Sequence, residues 1–275
     1  MNINRRQTLL SVSAAALAGC ASAPNAARPD QGPALNAFFQ EAFEAVVAQS
    51  PELATTLGDR TGYGAWDDES EAHAAEQLRQ ALARRDYMRA RFDPASLNAN
   101  DRLSFRLFDH GATRQEENWR WRNHRYIFNH HAGAQTGLPA FLINQHVVAS
   151  AADAEALISR YRGLRGKLDQ LIENSQAAAA MGVTPPRFSY EGVIASSRNV
   201  ISGAPFTAGE DSPLWSDFQA KADALDIPQA QKRALLADAR AALVDAVQPA
   251  YERLIAVMTE QQARASTDDG AWKLP

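Results

Sequence analysis

Six histidines, one cysteine and a few paired carboxylates are the residues of this 275-residue chain whose types could carry chemistry. His73, His110, His124, His130, His131 and His146 could bind a metal or move protons, because imidazole titrates near neutral pH. None stands in an H-E-x-x-H arrangement, the spacing that sets two imidazoles on one helical face with a glutamate base between them. His130 and His131 are adjacent, so their side chains diverge in either helix or strand and read as structural or surface groups. Asp67-Asp68, Glu116-Glu117 and Asp268-Asp269 pair carboxylates in sequence. Acid–base work needs shifted pKa values in a cleft, however, and a charge run reads first as a solvated face. No G-x-S-x-G elbow offers a serine nucleophile, and Gly133 and Gly137 are too sparse to cradle a phosphate. Trp119, Trp121 and Tyr126 could line a ligand groove, although aromatic residues at helical spacing more often fill a core.

The sole cysteine, Cys20, lies at the end of the most informative stretch. Met1 to Cys20 reads as a basic segment with Arg5 and Arg6, an apolar run from Thr8 to Ala18, and then Leu17-Ala18-Gly19-Cys20. The apolar run is too short for a mature spanning helix and fits the core of a secretory signal. The small residues before Cys20 resemble a bacterial lipobox, in which the cysteine thiol is diacylated and the preceding peptide is removed. Asn4-Arg5-Arg6-Gln7-Thr8-Leu9-Leu10 loosely resembles a twin-arginine signal, so both export routes stay open. Lipidation would leave no thiol for a disulfide, a cysteine zinc site or a nucleophile. The expected organisation is a signal peptide over residues 1–19, a small, Pro-rich tether over 20–33, and a folded region over 34–275. By resemblance to the bacterial sorting rule, Ala21 after the lipidated position favours the outer membrane, with the chain facing the periplasm.

Composition narrows the partners. Lys and Arg number 28 against 32 Asp and Glu, for a net charge of −4. That balance provides no basic footprint for nucleic acid. Hydrophobic residues make up 45% of the chain, enough for a sizeable core.

The elements that must position any site are helices. Leu35, Phe38, Phe39, Ala42, Phe43, Val46 and Val47 recur at three- and four-residue spacing, which predicts a core helix over 34–49. Ser50-Pro51-Glu52 starts a short helix that Gly58 can end. Further helices are predicted over 69–91, from Asn100 to about Asn123, from Ala151 after the cap Ser150 to Met181, over 188–201, and from Leu214 to Leu225 behind Ser212-Pro213. A last segment runs from Ile227-Pro228 to about Ala265, with Pro249 expected to kink it. Residues 126–144, broken by Gly133, Gly137 and Pro139, predict a small β-hairpin or irregular crossing. The fold class expected is therefore mainly α, an array of long antiparallel helices with at most that hairpin.

Four stretches resemble the bacterial DUF885 family, many of whose members look like lipoproteins related in fold to helical zinc metallopeptidases. They are Gly137-Leu138-Pro139-Ala140-Phe141-Leu142-Ile143-Asn144-Gln145-His146, Gly182-Val183-Thr184-Pro185-Pro186-Arg187-Phe188, the pair Asn199-Val200-Ile201-Ser202-Gly203-Ala204-Pro205-Phe206 and Ser212-Pro213-Leu214-Trp215, and Asp269-Gly270-Ala271-Trp272-Lys273-Leu274-Pro275. The resemblance implies zinc-activated water attacking a peptide carbonyl, with a glutamate as general base. The family's H-E-x-x-P-G-H-like metal segment lies downstream of the G-x-W-x-L-P motif, on which this chain ends. The chain is thus expected to resemble only the N-terminal half of such a protein. It would carry no catalytic or metal residue of its own, with zinc and a peptide substrate belonging to the complete protein. Asn144, Gln145, His146 and Arg198, polar residues beside the matched motifs, are the candidates to face a cleft. Helices cut off from missing neighbours would expose apolar surface and favour self-association. The competing expectation is a non-catalytic, lipid-anchored helical protein with a binding or structural role.

Overall fold

The computed structural model describes residues 30–275; the expected signal peptide and Cys20 lie outside the described residues. Ten α-helices follow in order: α1 Gly32–Val47, α2 Pro51–Thr56, α3 Glu71–Arg91, α4 Ala99–Asn118, α5 Ala134–Asn144, α6 Ala151–Ala180, α7 Arg187–Val200, α8 Pro213–Asp223, α9 Gln229–Ala242 and α10 Gln248–Arg264. A π turn, Leu243–Val247, joins α9 to α10.

The caps read from sequence do their work. Ser50, Ser150 and Ser212 accept from the backbone N–H of Leu53, Asp153 and Trp215 respectively, each satisfying a donor that a helix start leaves open. Gly182 ends α6 at φ +84, a conformation that costs glycine nothing. Pro249 sits just after the π turn at the start of α10, so the donor it lacks falls where the helix has already widened.

Two apolar cores result. Leu35 and Phe38 of α1, Met88 of α3, Phe105 of α4, and Phe92 and Leu97 between α3 and α4 make the smaller one. In it the Phe38 ring lies 5.5 Å from Phe108 and 6.0 Å from Phe92. The larger core gathers α5 to α10 around α6, with Tyr161, Leu164, Leu168 and Ile172 fully buried.

The expected hairpin is not there. Among the described residues no β-strand forms, only an isolated bridge between Ala204 and Asp211, and residues 134–144 are helical with Pro139 inside the helix. Proline at that position deprives the Gln135 carbonyl of its helical partner. The Tyr251 hydroxyl of α10 donates to that same oxygen at 2.8 Å. A tertiary hydrogen bond thus replaces the missing local one, which a reading of local signals does not anticipate.

Candidate functional site

Helix α6 presents polar residues every seventh position: Asp153, Arg160, Lys167 and Asn174. Seven residues are close to two helical turns, so the four side chains fall on one stripe. Residues 51–69, comprising α2 and the segment after it, lie along that stripe. Asp153 takes Arg60 Nε at 2.7 Å. Lys167 Nζ reaches Glu52 at 2.5 Å and Glu69 at 2.7 Å. Asn174 Nδ2 donates to the Glu69 carbonyl at 2.8 Å. Burial works against the Lys167 charge, but the two carboxylates outweigh it and raise its pKa.

Arg160 is fully buried at the centre of the stripe. Its guanidinium donates to the carbonyls of Ala65 and Pro51 at 3.0 and 3.2 Å, to Thr55 Oγ1 at 2.7 Å, and to His146 Nδ1 at 3.0 Å. Trp66 and Phe141 flank it with ring centres 5.6 and 4.9 Å away. Burial lowers its pKa to about 10, which leaves it charged at neutral pH.

That geometry settles the state of His146. A guanidinium has no acceptor, so Nδ1 must carry the lone pair; Nε2 therefore bears the hydrogen and donates to the Asp153 carbonyl at 3.0 Å. Burial pushes the imidazole pKa down to about 4. Both nitrogens are committed within the fold, and neither is available to a metal or a substrate. The other candidates do not join it. Asn144 and Gln145 are exposed at the end of α5, where Asn144 Nδ2 donates to the Ala140 carbonyl of its own helix at 2.9 Å. Arg198 is exposed in the last turn of α7. The sequence thus named three surface residues and one sealed imidazole. It passed over Arg160 and Lys167, whose signal was the heptad spacing of polar residues within a long helix.

Two of the concave surfaces among the described residues adjoin these elements or the N-terminal helices. One, of about 410 Å³, lies beside the stripe between the start of α3, the residues after α4 and the end of α6, and is lined by Glu69, Glu71, His73, Arg122 and Arg125. Its charges are largely spent on each other, Arg122 binding Glu71 at 2.6 Å. The other is a groove of about 520 Å³ between α1, α3 and α4, lined by Phe39, Phe43, Val46, Leu107 and Phe108 with Arg84 at its edge. Phe43, Val46 and Leu107 are 49%, 47% and 62% exposed, far more than isolated core residues would be.

These features define a mainly helical, multi-helix protein with a hydrogen-bonded polar stripe on α6 and an open apolar groove. The chain belongs to the family described as bacterial protein of unknown function (DUF885), which matches residues 51–273. In fold it is similar to the crystal structure of "the putative lipoprotein from Colwellia psychrerythraea", at 17% identity and a TM-score of 0.73 over 90% of this chain. The chain spans 44% of that protein's length. No curated protein matches its sequence.

Two expectations are corrected. The family match runs across nearly the whole chain, so the resemblance is not confined to an N-terminal half. The zinc-peptidase reading also fails on the residues present: among the described residues no group of three or more His, Cys, Asp or Glu side chains could hold a metal.

Proposed function

We propose that this chain is a lipid-anchored helical lipoprotein of the bacterial envelope that acts by binding or as a structural component rather than by catalysis. The observation that carries the reading is the apolar groove of α1, α3 and α4, a ready-made contact surface, set against a polar stripe on α6 whose side chains are spent on residues 51–69. The description of the structural neighbour as a lipoprotein supports the anchored state, as do Leu17-Ala18-Gly19-Cys20 and the basic and apolar blocks before them. In this reading residues 1–19 are removed, Cys20 carries the lipid, residues 20–33 connect it to the helices, and Ala21 directs the protein to the outer membrane, facing the periplasm.

The test is the mass of the N-terminal peptide from the mature protein, together with cell fractionation of a Cys20→Ala variant exported behind a cleavable secretory signal in place of residues 1–19. A diacylglyceryl group on Cys20, and transfer of the variant out of the membrane fraction, are the expected results. An unmodified Cys20, or a variant that stays with the membrane, would overturn the anchoring.

A further inference from the structure

We infer that the groove of α1, α3 and α4 rests against the lipid surface that carries the anchor, so that the protein lies on the membrane with its N-terminal helices inserted into the interface. The inference relies on the proposed acylation of Cys20 and names the occupant of the groove.

Chain length comes first. Twelve residue steps separate Cys20 from Gly32, where α1 begins. At full extension they reach at most about 43 Å, so α1 is held nearer the anchor along the chain than any other described helix. Phe39, Phe43 and Val46, one wall of the groove, lie on α1. The family match begins at residue 51, so this wall lies outside the matched residues.

Chemistry agrees with that placement. Phe43 and Val46 on α1 and Leu103 and Leu107 on α4 are exposed apolar side chains, and the single charged residue lining the groove is the cation Arg84. Aromatic and aliphatic groups bordered by a basic one suit the boundary between acyl chains and phosphate headgroups. Among the described residues no helix is long and apolar enough to cross a membrane, so contact here means lying on the surface. A diacylated anchor already holds the protein in place. A short tether also keeps the local lipid concentration high, so a few side chains of weak intrinsic affinity suffice to fix the orientation.

Cys20 is the only cysteine, and once acylated it leaves an introduced cysteine as the sole free thiol. The acylated protein with Val46→Cys, Leu107→Cys or, as a control at an exposed position of α9, Asp238→Cys is labelled with bimane. It is then placed in vesicles of phosphatidylethanolamine and phosphatidylglycerol (3:1) containing a doxyl-labelled lipid. The expected result is at least twofold quenching by the doxyl lipid, and protection from aqueous iodide, at positions 46 and 107 but not at 238. Labels at 46 and 107 that iodide reaches as freely as at 238 would overturn the inference while leaving the anchor intact. So would the same labels buried without vesicles in a particle of doubled mass, which would make the groove a contact between two copies. The mass of the Cys20 peptide is measured on the same sample; an unmodified cysteine would overturn the anchoring and this inference together.

Discussion

Tyr251 of α10 donates its phenolic hydrogen to the carbonyl of Gln135 in α5 at 2.8 Å, the oxygen that Pro139, four residues later, has no N–H to bond. Both ends of the contact are buried. Burial raises the pKa of the phenol, which keeps it protonated and able to donate throughout the stable range of the protein.

Tyr251→Phe should therefore cost about 1–3 kcal/mol, the penalty for a buried carbonyl left without a partner. Adding Pro139→Ala restores a backbone N–H to α5 and should recover part of the loss. Urea unfolding of the two single variants and the double variant gives the coupling directly. Strict additivity would show that the hydroxyl is not standing in for the helical hydrogen bond.

Much of the architecture was legible because helix boundaries are local. Ser50, Ser150 and Ser212 as caps, Gly182 as a stop, and the proline positions act within a few residues of themselves, and the chain obeys them. Residues 134–144 were not legible for the opposite reason: Gly133, Gly137 and Pro139 argue against a helix until Tyr251, more than a hundred residues away, supplies the hydrogen bond. The polar stripe of α6 was half legible. Asp153, Arg160, Lys167 and Asn174 stand at heptad spacing in the sequence, but nothing local says that residues 51–69 lie across them. His146 was singled out through a neighbouring motif, yet its role depends on Arg160, whose approach only the fold reveals.

Arg160→Lys tests whether charge or shape matters at the centre of the stripe. Lysine keeps the charge but cannot serve the carbonyls of Ala65 and Pro51, Thr55 and His146 together, because its single ammonium lacks the planar fork of a guanidinium. A loss of about 2–4 kcal/mol in urea unfolding is expected. A variant as stable as the parent would mean that the guanidinium acts as a charge alone.

Lys167→Met removes the cation that Glu52 and Glu69 share. Both carboxylates keep some access to water, so the cost falls below that of breaking a fully buried pair, at about 2–3 kcal/mol. The local signature is more telling than the global one. Residues 51–69 should loosen from α6, raising the rate of tryptic cleavage after Arg60 and the hydrogen exchange of the segment while α9 and α10 stay protected. Uniform deprotection would indicate that the segment is not held through this contact.

His146 should give the protein a stability that depends on mildly acidic pH. In the unfolded chain its pKa is 6.5, whereas burial in the fold lowers it to about 4, so below pH 6.5 the unfolded state binds a proton that the folded state refuses. Its contribution is fully present above pH 6.5, declines as the pH falls towards 4, and changes no further below that. Between pH 7 and pH 5 the expected loss is about 2 kcal/mol. Asp153 is raised by its own burial but held below the usual carboxylate range by Arg60 and the Ala149 N–H, so its stabilisation fades only at more acidic pH than this window. His146→Gln provides the control, since its amide can accept from Arg160 and donate to the Asp153 carbonyl without titrating. Urea unfolding from pH 7 to 5 should show a shallower loss in this variant than in the parent. Equal slopes would mean that His146 accepts its proton in the folded protein, and that Arg160 does not hold Nδ1 as an acceptor.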